Sequence, residues 1–128
     1  MAFFNLQRRL LSFKYAAKGF KWAFSTQPNI WIHSFASILV IIAGWYFHIT
    51  RIEWILVIFC IMAVFAMELV NTAIEWLVDS IYKERHEMAG KIKDVAAAAV
   101  LITALGAATV GVIIFYPYIL FRFFSGGL

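Results

Sequence analysis

The sequence predicts an all-α membrane protein, a single integral-membrane domain over residues 1–128 in which an N-terminal amphipathic surface helix precedes three transmembrane helices. Three observations carry that expectation. Hydrophobic residues make up 64% of the chain and charged residues 14%, against roughly 25% charged in an ordinary soluble domain. Apolar runs that cross or nearly cross a hydrocarbon core, which takes about 20 helical residues, occur at 30–47, 54–79 and 95–115. The basic residues are segregated: Arg8, Arg9, Lys14, Lys18 and Lys21 precede the first run, and Lys83, Arg85, Lys91 and Lys93 lie between the second and third.

The surface helix is expected over 1–27. Leu6, Leu10, Phe13, Ala17, Phe20 and Phe24 recur at alternating steps of four and three, with Arg8, Ser12, Tyr15 and Lys18 opposite, the pattern of a helix with one apolar face. Flanking lysines suit a helix lying on an anionic leaflet. Nothing in this segment resembles a cleavable signal, so the start is expected to be retained. Pro28 and Asn29 end the helix before the chain turns into the bilayer.

Basic residues concentrate on the cytoplasmic side of membrane proteins. The N-terminus and the loop after the second span are therefore expected in the cytoplasm, in a multi-pass protein of the inner or plasma membrane. Trp31, Trp45, Trp54, Tyr116 and Tyr118 fall near span ends, where amphipathic rings collect. His33 and His48 read as interfacial hydrogen-bonding residues, and Glu53 as a solvated loop residue beside Arg51. In the third span Ala96, Ala99, Ala104, Ala107, Ala108 and Gly111 supply the small residues that let helices approach closely. Cys60 has no second cysteine to pair with and reads as a packing residue.

The second span departs from apolarity at "MELVNTAIEWLVDS". At 100° per residue, Glu68, Asn71, Thr72, Glu75 and Asp79 fall within an arc of roughly 100° on one face. An ionisable side chain at membrane depth costs on the order of 2.5 kcal/mol or more, so such residues mark work rather than packing. The following loop, "ERHEMAGKIKD", offers Glu84, Arg85, His86, Lys91, Lys93 and Asp94 beside that face. Lysine neutralises phosphate oxygens and carboxylates hold the Mg²⁺ that accompanies a nucleotide, so a phosphoryl-transfer site is one reading. It is not a P-loop: Arg85 stands where the first glycine belongs and Ile92 follows Gly90-Lys91. A proton or ion pathway is the alternative, since intramembrane acids are expected there too. That alternative leaves the loop cations unused, and between Ile55 and Met67 it finds nothing polar beyond Cys60. No nucleic-acid partner is expected.

"ELVNTAIEWLVD" followed by "ERHEMAGKIKDVAAAAVL" strongly resembles the prokaryotic diacylglycerol kinase and undecaprenol kinase family of small integral-membrane enzymes. The pattern Glu-x-x-Asn-[Ser/Thr]-Ala-Ile-Glu-x-x-Val-Asp is matched at every position, and the likeness extends through "SFKYAAKGF" and "NIWIH". The resemblance implies a homotrimer with composite sites that transfers the γ-phosphate of Mg-ATP to a lipid hydroxyl, of undecaprenol or diacylglycerol. It implies Glu68 as general base, Asn71 as its positioner and Glu75 as a Mg²⁺ ligand within the ATP site. Arg8, Tyr15, Glu84, His86, Lys93 and Asp94 would contact ATP. Two positions depart from the family: Gln27 stands where a second metal-binding glutamate is usual, and Trp31 where an arginine is common.

Overall fold

The computed structural model describes residues 6–124, with side chains from Arg9 onward. Four helices follow in order: α1, Leu6–Thr26; α2, Pro28–Phe47; α3, Arg51–Ile81; and α4, Glu87–Phe124. The last three are each long and apolar enough to cross a membrane. α2, α3 and α4 run alternately up and down, with α3 in the middle packed against both neighbours, and α1 touches α2 and α3.

The break between α1 and α2 is local chemistry. The hydroxyls of Ser25 and Thr26 both donate to the Trp22 carbonyl, at 2.8 and 2.9 Å, occupying an acceptor of the last turn. Gln27 is extended, φ −111° and ψ 109°, the conformation a following proline imposes. Pro28 then opens α2, where its missing N–H is no loss. Trp31 closes the corner: its indole N–H donates to the Phe24 carbonyl at 2.9 Å. The Phe24 ring lies edge-on to Trp31 and stacks on Phe65 of α3. Trp31 thus caps the end of α1.

At the opposite end, α2 stops at His48, which adopts the left-handed conformation with φ 54°. The Ile49 N–H reaches back to the Gly44 carbonyl at 3.2 Å, closing the helix as in a Schellman motif. α3 begins three residues ahead of its apolar run because Thr50 and Glu53 form a capping box. Glu53 is therefore no solvated loop residue. Its carboxylate accepts from the Thr50 N–H at 2.7 Å and from the Tyr118 hydroxyl of α4 at 2.8 Å. One side chain caps α3 and pins α4 to it.

With 31 residues, α3 is about 46 Å long, well over the ~30 Å of a hydrocarbon core. α4 starts at Glu87, eight residues before the apolar segment, and a Glu87–Lys91 pair at 2.6 Å supports its first turns. It continues through Pro117, where one backbone donor is missing. Ala89, Ala96 and Val100 are its buried residues along the first half, and Ile114 and Phe115 join Ile49 and Val57 in a core at the turn end. Outward from this seam, large apolar side chains such as Trp45, Ile55, Phe59, Ile102 and Ile113 are exposed. In water such a surface would aggregate; in lipid it is solvated.

Gly44 lies under the Trp54 indole. A Cβ there would meet the ring at 2.8 and 2.9 Å and Ile49 at 3.1 Å, and Trp54 is itself packed against Trp45. Overpacking of this kind costs about 1–3 kcal/mol. Gly44→Ala is expected to lower the thermal midpoint of the detergent-solubilised protein, and an unchanged midpoint would show that the indole moves aside freely.

Candidate active site

Burial along the polar face of α3 is graded. Glu68 is 1% exposed, Thr72 2% and Asn71 5%, Glu75 is half-buried and Asp79 exposed. The face therefore runs from the surface at the Tyr82–His86 loop into the packed interior, as the heptad-like spacing of its polar residues requires once one side of α3 is buried.

Each buried residue on this face makes at least one side-chain hydrogen bond. Glu75 accepts two amide N–H bonds, from Asn71 Nδ2 to Oε1 at 3.0 Å and from Gln27 Nε2 to Oε2 at 2.9 Å. Asn71 is one turn away on the same helix, whereas Gln27 comes from the α1–α2 corner, where its side chain makes no capping bond and reaches across to α3. Glu68 shares a hydrogen bond with His33 of α2, Nε2 to Oε1 at 3.1 Å. The Thr72 hydroxyl turns back to the Glu68 carbonyl at 2.8 Å. One acceptor is left over: Asn71 Oδ1 is buried without a partner among the described residues. Such a group costs about 1–3 kcal/mol unless something donates to it.

A second cluster continues the face outward. Asp79, Tyr82, Glu84, Arg85, His86 and Lys93 line a cavity of about 490 Å³ at the loop. Lys93 Nζ holds Asp79 Oδ1 at 2.8 Å. The His86 ring lies over Tyr82, with centroids 4.6 Å apart. His86 Nδ1 accepts from the Met88 N–H at 3.2 Å, so the ring's other nitrogen carries the hydrogen and serves as a donor into this space. Asp79 sits one turn beyond Glu75, which makes the two clusters neighbours on a single helix.

The geometry thus gathers most of the residues singled out in the sequence: Gln27, Asn71 and Glu75 around one carboxylate, Glu68 just deeper, and Glu84, His86 and Lys93 around the cavity. Tyr15 stays on exposed α1, its ring 5.8 Å from Lys18 Nζ. Asp94 is exposed and lies outside the residues lining the loop cavity. The side chain of Arg8 falls outside the described residues. His33, expected to satisfy an interfacial hydrogen bond, instead bonds the deepest carboxylate of the face, Glu68. The signal that could have found it was the same one that found Glu68, a titratable residue inside an apolar span.

Among the described residues, no group of three or more His, Cys, Asp or Glu stands close enough to hold a metal ion. Glu75 instead receives the amide N–H groups of Gln27 and Asn71, one on each carboxylate oxygen.

A bundle of three helices long and apolar enough to cross a membrane, with one buried and one half-buried carboxylate leading to a loop cavity lined by both acidic and basic side chains, defines the class as a polytopic membrane protein with a polar internal track. The chain belongs to the prokaryotic diacylglycerol kinase family, whose model matches residues 14–115. It is 37% identical over 113 residues to an undecaprenol kinase of Bacillus subtilis (strain 168), covering 88% of this chain and 92% of that protein. It is 39% identical over 112 residues to a diacylglycerol kinase of a Synechocystis species, covering 87% of this chain and 64% of that one. A diacylglycerol kinase of Haemophilus influenzae is 37% identical over 98 residues, 77% of this chain and 83% of its own. Membership identifies the chain as a lipid kinase. Every candidate residue above except Arg8 lies inside the matched segment.

Proposed function

We propose that this chain transfers the γ-phosphate of ATP to the hydroxyl of a membrane lipid, undecaprenol or diacylglycerol, at the cytoplasmic face of the plasma membrane. The observation that carries the reading is the continuous polar track of α3, from the Asp79–Lys93 pair at the surface to Glu68 in the interior. A water-soluble donor and a lipid acceptor need such a track, because their reacting atoms meet only where the two phases do. The wider architecture is part of the proposal. α1 lies on the cytoplasmic surface, the whole chain is one domain, and three copies assemble so that their sites are completed across the interfaces.

Phosphoryl transfer asks mainly for positioning and for charge on the phosphate oxygens. Glu68 takes the proton of the lipid hydroxyl. Asn71 Oδ1, the unpartnered acceptor, orients that hydroxyl before transfer. Lys93 exchanges Asp79 for a phosphate oxygen, and His86 donates into the same cavity. Tyr15, Glu84, Asp94 and, beyond the described residues, Arg8 complete the nucleotide contacts.

Mg²⁺ keeps several waters and takes one or two carboxylates together with substrate phosphates, so a single carboxylate suffices for the reading. Glu75 would hold it, with the amide oxygen of Gln27 as a neutral second ligand once that amide turns over. Bound there, the ion supplies positive charge to the phosphates. An ion pathway is disfavoured by the turn end, where Glu53 is closed off by Thr50 and Tyr118.

Purified protein with labelled ATP and a panel of undecaprenol, diacylglycerol and ceramide tests the reading directly. Labelled lipid is expected with the wild type, and Glu68→Gln, which keeps size but removes the base, should lower the rate by about 10²-fold or more. Label in no lipid would overturn the reading. Lys93→Met is expected to raise the KM for MgATP about tenfold while leaving the KM for lipid within about twofold, as loss of a charged phosphate contact should. Equal changes in both constants would remove Lys93 from the phosphates. Gln27→Glu adds a carboxylate beside Glu75 and is expected to lower the Mg²⁺ needed for half-maximal activity. Superimposable Mg²⁺ titrations would mean that residue 27 does not reach the ion.

A further inference from the structure

Two rungs join α2 to α3. Gln27 meets Glu75, and six residues further along α2, His33 meets Glu68, seven residues back along α3. At 1.5 Å per residue these intervals are about 9 and 10.5 Å, so antiparallel helices bring both pairs into register. The upper rung holds its carboxylate with a neutral amide. The lower holds Glu68 with a group that can itself take up a proton.

That difference matters because Glu68 is 1% exposed while the His33 side chain is 22% exposed. A base so deeply buried has no direct exchange with water. After each transfer it carries the proton of the lipid hydroxyl, and it cannot act again until that proton leaves. We propose that His33 is a positioning residue for Glu68 and the group through which the collected proton departs. The inference rests on the lipid-kinase reading with Glu68 as base.

The step balances as follows. The O–H bond of the lipid breaks as its oxygen bonds to phosphorus, and the bond from phosphorus to the bridging oxygen breaks with its electron pair leaving on ADP. The proton goes to the Glu68 carboxylate, then to His33 Nε2 across the 3.1 Å contact, and from the imidazolium to water. Glu68 is left ionised and His33 neutral, as at the start. Between turnovers the same contact holds the carboxylate in one orientation, since a side chain bonded to a ring on a neighbouring helix has lost its rotamer freedom.

His33 is well isolated for this task. It lines an apolar cavity of about 560 Å³ between α2, α3 and α4. The other titratable side chains on that cavity are Cys60 of α3 and Tyr116 of α4, and α1 contributes no residue to it. Glu68 is its ionisable hydrogen-bond partner. An imidazole that is already charged cannot accept the proton from Glu68. Activity should therefore fall on the acid side of the profile through this group.

The test measures kcat and the MgATP KM against pH for wild type and His33→Gln in the same lipid. Glutamine keeps a hydrogen-bond donor but does not titrate. A kcat at least tenfold lower, an MgATP KM within about twofold, and an acid limb altered relative to wild type are expected. A wild-type kcat, or a lower kcat with the wild-type pH profile, overturns the proposal and leaves the kinase reading standing. A wild type that phosphorylates none of the lipids overturns both. His33→Ala provides a second readout that does not depend on the glutamine variant folding. Imidazole added to the assay should restore part of its rate, and a rate indifferent to imidazole overturns the relay.

Discussion

A carboxylate carried into the packed interior of an apolar bundle must find donors, and the arrangement of this protein follows from how Glu75 and Glu68 find theirs. Asn71 supplies one bond to Glu75 from the same helix, but the other comes from Gln27 at the α1–α2 corner. That bond sets where α2 begins relative to α3, and the His33–Glu68 contact sets their register one step deeper. The polar groups do more than decorate a helix pair. They bring its N-terminal corner and the polar face of α3 together.

The two ends of the bundle solve different problems. The turn end is closed: Thr50, Glu53 and Tyr118 satisfy one another, and Gly44 lets the Trp54 indole lie flat on α2. The loop end is open, with an unpartnered amide oxygen at Asn71 and an exposed Lys93–Asp79 pair. Exposed ion pairs contribute little to stability, so the Lys93–Asp79 contact can be exchanged at small cost. The turn end is held by mutual hydrogen bonds, whereas the loop end keeps contacts that can be replaced.

The likeness to the prokaryotic diacylglycerol kinase family, over residues 14–115, also gives meaning to the two departures. Gln27 keeps contact with Glu75 but contributes no charge, so the Glu75 carboxylate is the sole anion of that rung. Trp31, which the resemblance sets against an expected arginine, caps α1 through the Phe24 carbonyl. Both changes lie at the same corner. There the chain replaces electrostatic contacts with amide and aromatic ones.

The sequence by itself determined the four-helix order, the apolar lengths and the polar arc on α3, because hydropathy and a 3.6-residue period are properties of one segment at a time. It also carries the capping box at Thr50 and Glu53, a local signal that is legible without the fold. Family motifs pointed to Glu68, Asn71, Glu75 and Lys93 for the same reason: their spacing is short-range. What only the tertiary structure decided are the pairings between helices. Gln27 with Glu75, His33 with Glu68, and Tyr118 with Glu53 join residues 48, 35 and 65 positions apart. No periodicity within a helix specifies which side chain of its neighbour stands opposite. That depends on where the corner at Gln27–Pro28 directs α2 and on how closely small residues let α4 approach α3, and both emerge only when the helices pack.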